Sequence, residues 1–129
     1  MNQKEAIATS NAPEAIGPYS QGIMFGDLVF TSGQLPLVPE TMLFPEGGIK
    51  EQTIQSLENV KAVLEKSGAS FSTVIKTTCF LADIADFAEF NEVYSSYFSG
   101  SAAPARSCIE AAKLPKNAKV EIEVIAYKN

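Results

Sequence analysis

Apolar and polar positions alternate most clearly at the C-terminal end. There Val120, Ile122, Val124 and Ala126 interleave with Glu121, Glu123, Ile125 and Tyr127. A period of two predicts a strand with core on one side and two carboxylates on the other. Between Ile49 and Ser67 the period changes: Ile54, Leu57, Val60 and Leu64 recur at helical spacing, and Gly68 stands where a left-handed cap is wanted. A second helix is predicted after the N-cap candidates between Asp83 and Asp86, with Phe87, Phe90, Tyr94, Tyr97 and Phe98 toward one side.

Shorter strands are expected over Lys4 to Thr9, over Gln21 to Phe25 and Leu28 to Ser32 around a Gly26-Asp27 turn, over the β-branched Val74 to Leu81, and over Arg106 to Glu110. Prolines and glycines punctuate the loops Asn11 to Tyr19 and Leu35 to Gly48, and Gly100 to Ala103 loosens the chain before the last two strands. The order β-β-β-α-β-α-β-β reads as an α+β domain, a mixed sheet covered on one face by two helices. At 129 residues one domain is expected. Residues such as Ile75, Cys79, Leu81 and Ile125 would leave apolar surface on the uncovered face, which predicts a homo-oligomer.

Composition narrows the chemistry. The chain has no histidine, which excludes Ser-His-Asp and Cys-His arrangements and most zinc or non-haem iron sites. Acid–base work then falls to carboxylates, tyrosines, lysines or water. A net charge of −5 without a basic cluster makes nucleic acid an unexpected partner. Apolar runs are too short to span a bilayer, and Met1 to Glu5 has no secretory pattern, so a cytoplasmic protein is expected. Cys79 and Cys108 read as thiols rather than a bridge.

The candidate chemistry centres on Arg106, one cation in the small, apolar segment Pro104 to Ile109. A half-buried guanidinium needs an anionic partner: either a neighbouring protein acid, or a ligand carboxylate that it clamps. Glu121 and Glu123 read equally as a solvated strand face or as partners for that arginine. Tyr19, in a Gly-Pro-Tyr-Ser loop, is either packed or a pocket lid, and Ser32 is a hydrogen-bonding hydroxyl rather than a nucleophile. Cys108, two residues from Arg106, shares its side of the strand as a lining thiol; Asn91 is polar beside the aromatic helix face and could brace a loop.

Together, Gly17-Pro18-Tyr19-Ser20-Gln21-Gly22, Thr31-Ser32-Gly33-Gln34, Phe90-Asn91 with Val93-Tyr94, Pro104-Ala105-Arg106-Ser107-Cys108 and Val120-Glu121-Ile122-Glu123 resemble the RidA/YjgF family of enamine/imine deaminases, nearly end to end. The resemblance implies a chorismate-mutase-like fold, a homotrimer with pockets between subunits, and hydrolysis of 2-imino acids such as 2-iminobutanoate and 2-iminopropanoate to 2-oxo acids and ammonia. By position, Arg106 would clamp the substrate carboxylate and Glu121 would hold the attacking water, while Tyr19, Ser32, Asn91 and the Cys108 backbone would shape or brace the pocket. Neither a metal nor a cofactor is implied. The segment Pro39 to Gly48 departs from the commonest pattern, reading Thr41-Met42-Leu43-Phe44 where many relatives place a Thr-Gly turn. Two other readings stand beside this one: a 2-oxo acid binding protein without catalysis, and an RNA-cleaving protein.

Overall fold

The computed structural model describes residues 3–100 and 102–129; Met1, Asn2 and Ser101, the last within the segment expected to be loose, lie outside the described residues. Six strands and two helices follow in chain order: β1 (Glu5–Ile7), β2 (Gly22–Phe25), β3 (Leu28–Thr31), α1 (Ile49–Ser67), β4 (Val74–Leu81), α2 (Phe87–Tyr97), β5 (Ala105–Glu110) and β6 (Val120–Tyr127). The strands form one mixed sheet in the order β1-β2-β3-β6-β4-β5, in which only β4 and β5 pair in parallel. That pair is joined through α2, because two parallel neighbours need a crossover connection. The expected α+β architecture and element order hold, with β1 shorter than the predicted segment because Lys4, Ala8 and Thr9 fall outside the ladder.

One face of the sheet packs under the helices. Val29, Cys79, Leu81, Val120, Ile122 and Ala126 are fully buried there against Leu57, Val60, Val63 and Leu64 of α1 and Phe90 of α2. Two expectations need correction. Cys79 and Leu81 belong to this covered face rather than to the open one. The reason is a break in register between Val74 and Lys76, where Ile75 is the additional residue; it shifts the in–out alternation, so Val74, Thr77, Cys79 and Leu81 all point inward. Ile54, counted in the apolar stripe of α1, is exposed.

The buried stripe of α1 instead includes Gln52, Thr53, Ser56 and Asn59. Most of these polar groups are satisfied by backbone. Asn59 Nδ2 donates to the carbonyls of Leu35 (3.0 Å) and Leu37 (2.9 Å), and Gln52 Oε1 accepts from the Lys119 amide at 2.9 Å. The helix thereby fastens the loops on either side of the site described below. It ends at Gly68, whose φ of 83° is the left-handed cap expected.

The open face carries two apolar rows set by register. Phe25 opposes Leu28, which opposes Tyr127; Ile23 opposes Phe30, which opposes Ile125. Phe25, Leu28, Phe30 and Tyr127 are each 38% exposed or more, a contiguous patch of the kind that marks subunit contacts. No helix among the described residues is long and apolar enough to cross a membrane.

Candidate active site

The candidate residues gather in two groups, one on each face of the sheet. Arg106 is the register partner of Thr77, and Cys108 of Cys79, so both point to the helix-covered side at the β5 edge. Glu121 is the register partner of Phe80, and Glu123 of Thr78, so both carboxylates point to the open side. The pairing of Arg106 with either glutamate, left open by the sequence, is thus absent within one chain.

In the first group α2 forms the wall. Nη1 of Arg106 donates to Asn91 Oδ1 at 2.6 Å. Its guanidinium carbon lies 4.7 Å from the centre of the Tyr94 ring and 5.4 Å from that of Phe87, within cation–π range. Among the described residues the one ion pair is Lys50 with Glu92, at 2.9 Å, so the Arg106 charge meets an amide and two aromatic rings but no carboxylate. Burial pushes the Cys108 thiol above its ordinary value, with the Arg106 charge partly opposing, and pushes the fully buried Cys79 to about 12. Neither is an activated nucleophile.

The second group is built on the β3 end and the Tyr19 loop. Ser32 donates from Oγ to the Ser20 carbonyl at 2.6 Å, and its amide donates to Gln21 at 2.9 Å, so the hydroxyl braces the loop that carries Tyr19. Gln21 fixes the other flank of that loop, donating from Nε2 to Ala12 and Pro13. Tyr19 is half exposed. Gln34 and Ile122 exchange backbone hydrogen bonds of 2.8 and 3.2 Å, which sets Gly33 beside Glu121, the preceding residue of β6. A Cβ at Gly33 would collide with the Glu121 carboxylate, so glycine is what leaves room for it. Burial raises the Glu121 carboxyl above its ordinary value, and the like charge of Glu123 raises it further. A hollow of about 40 Å³ lined by Ile16, Tyr19, Gly33 and Met42 adjoins this group.

The six candidate residues therefore lie in these two groups: Arg106, Asn91 and Cys108 in one, Glu121, Tyr19 and Ser32 in the other. Sequence reading did not mark Phe87, Tyr94, Thr77 or Gly33. For the aromatics, helical periodicity shows a buried face but not what it is buried against. Gly33 carried a faint signal, a glycine ending a strand one residue after a candidate serine.

A family model described as endoribonuclease L-PSP matches residues 9–128. A RutC family protein of Pyrococcus abyssi is 52% identical over 97% of this chain and 98% of its own length. The 2-iminobutanoate/2-iminopropanoate deaminase of Salmonella typhimurium is 49% identical over 96% and 98%. The crystal structure of Escherichia coli TdcF with bound serine superposes with a TM-score of 0.92 at 46% identity, covering 97% of this chain and 99% of that one. The α+β fold, matched over 96% or more of this chain by such relatives, defines the class. The chain belongs to the endoribonuclease L-PSP family, which is the RidA/YjgF family its motifs resemble.

Proposed function

We propose that this protein hydrolyses 2-imino acids such as 2-iminobutanoate and 2-iminopropanoate to 2-oxo acids and ammonia, in a site completed between subunits of a homotrimer. The observation that carries the reading is the Arg106 guanidinium, oriented by Asn91 and two rings and lacking any carboxylate partner among the described residues. A small carboxylate supplies the missing anion, and a fork of parallel N–H donors matches its two oxygens. The names of the relatives and the serine bound to TdcF, itself a small α-substituted carboxylate, point the same way.

The opposed orientation of the half-sites supports assembly. One chain presents Arg106 on the covered side and Glu121 on the open side, and in the proposed assembly the arginine of one subunit meets the glutamate of the next. The apolar rows on the open face provide the surface for that contact. With the carboxylate held by Arg106, the imine carbon faces a water on Glu121. Glu121 takes a proton from the water as oxygen bonds to C2 and the C=N pair moves to nitrogen, and Glu121 then returns that proton to nitrogen. The resulting carbinolamine collapses to the 2-oxo acid as its hydroxyl proton passes through Glu121 to the leaving nitrogen and the C–N bond breaks, expelling ammonia. Such imines are already electrophilic, so orientation plus one general base, worth roughly 10²–10⁴-fold, is a sufficient acceleration. Desolvation makes Glu121 a stronger base than a free carboxylate, provided it is ionised.

The decisive assay couples the protein to an amino-acid oxidase or threonine dehydratase that generates the imine, and follows ammonia release. Accelerated release, lost in Arg106→Ala with the oligomer intact, is expected. Binding of 2-oxo acids without acceleration would assign a metabolite-binding role instead. RNA cleavage persisting in the Arg106 variant would assign the activity in the family model's description, against which the net charge of −5 weighs.

A further inference from the structure

We propose that Tyr94, together with Phe87, is a positioning residue for substrate: the two rings hold the Arg106 guanidinium in the orientation that receives the carboxylate. The inference rests on the reading of Arg106 as a carboxylate clamp and adds how the clamp is kept in place.

Arginine has a long, freely rotating stem, and on an edge strand such as β5 it has no second neighbouring strand to confine it. Asn91 restrains one end of the guanidinium through a single hydrogen bond to Nη1. One bond allows rotation about its axis, so the plane of the fork needs another constraint. The rings provide it, with guanidinium-to-centre distances of 4.7 Å for Tyr94 and 5.4 Å for Phe87. Electrostatic attraction to the ring faces holds the cation without using its N–H donors, which a protein carboxylate would consume.

Tyr94 is in turn immobilised. The residue is 6% exposed, and its hydroxyl shares a 2.8 Å hydrogen bond with Oγ1 of the fully buried Thr77. Thr77 is the register partner of Arg106 across β4 and β5. The same rung of the sheet therefore fixes both the base of the arginine and the surface it rests on. Tyr94 also packs against Phe90 and Phe98, so the ring beneath the guanidinium is anchored in the core.

The test measures the dissociation constant of 2-oxobutanoate by calorimetry and kcat and KM in the coupled imine assay, with melting temperature as the control for folding. Variants are Tyr94→Leu, Phe87→Leu, the conservative Tyr94→Phe, and Arg106→Ala. Removing either ring should weaken 2-oxobutanoate binding about 3- to 10-fold and raise KM similarly while kcat changes less, since the arginine grips the carboxylate alike in ground and transition states. Tyr94→Phe should restore most of the affinity. A purely structural role would lower kcat through loss of active protein and leave the dissociation constant unchanged; that pattern overturns the inference. Phe87→Leu, at a position only partly buried, decides the matter if Tyr94→Leu does not fold. If Arg106→Ala loses binding while both leucine variants keep it, the positioning role alone fails. Should Arg106→Ala bind normally, the clamp itself is wrong.

Discussion

The two groups of candidate residues sit on opposite faces of one sheet and are held in opposite ways. Arg106 is restrained by positive contacts: an amide oxygen at 2.6 Å and two aromatic rings, all from α2. Glu121 is prepared by what is withheld. A missing side chain at Gly33 makes room for it, partial burial removes water from it, and Glu123 repels its charge. Binding an anion calls for a cation in a fixed direction, whereas a base near neutrality calls for an ionised state that is poorly solvated. On the proposed function, the same sheet would supply the first through helix packing and the second through its bare face.

The largest effect expected is from Arg106→Ala. Loss of the proposed charge-assisted pair with substrate, at a half-buried arginine, and of substrate orientation together should lower kcat/KM about 10³-fold. Near-normal turnover by that variant would leave Arg106 a structural ornament of α2. Glu121→Gln, which keeps shape and removes the base, should lower kcat about 10²-fold with affinity for 2-oxobutanoate little altered. If kcat is retained, another group or free solvent does the proton transfer.

Gly33→Ala is a subtler break. The methyl group would displace the Glu121 carboxylate without touching the Arg106 half, so turnover should fall roughly 10-fold while 2-oxo acid binding persists. Parallel losses in both quantities would mean that the halves are not separable. The smallest effect is a shift in pH dependence. Glu121 must be deprotonated to accept a proton, and its carboxyl is raised, so activity should fall as pH drops through a point above the ordinary carboxylate range. Glu123→Gln removes one cause of the rise and should move that acid limb to lower pH; a stationary limb would show that the limb belongs to a different group. The stability consequence has the opposite sign to that of a salt-bridged acid. A carboxyl raised on folding is less favourable when ionised, so native stability should decline as pH rises through its folded value, and Glu121→Gln should modestly raise the melting temperature at neutral pH.

Most of the fold was legible because it depends on local period. The alternation in β6, the span of α1 and the turn at Gly26-Asp27 follow from neighbouring residues and hold in the structure. The sidedness of β4 did not, because a register break at Ile75 inverts the alternation and no residue type announces it. Neither could α1 be read fully by hydrophobicity, since Asn59 and Gln52 are buried for their hydrogen bonds to distant loops. The candidate residues could be named from the sequence, but their geometry could not. That Arg106 and Glu121 face apart depends on which strands pair and in what register, a long-range matter. The Tyr94 contact with Arg106 joins residues on different elements for the same reason.

The central claim, that the site joins the arginine of one subunit to the glutamate of its neighbour, is tested most directly by mixing. Arg106→Ala and Glu121→Gln proteins, each nearly inactive alone, are co-refolded in equal amounts and assayed for imine hydrolysis. Random assembly into closed trimers should restore roughly one quarter of wild-type activity, because about one interface in four then pairs an intact arginine with an intact glutamate. Activity in the mixture no greater than the sum of the two variants, in assemblies verified to contain both, would contradict the account.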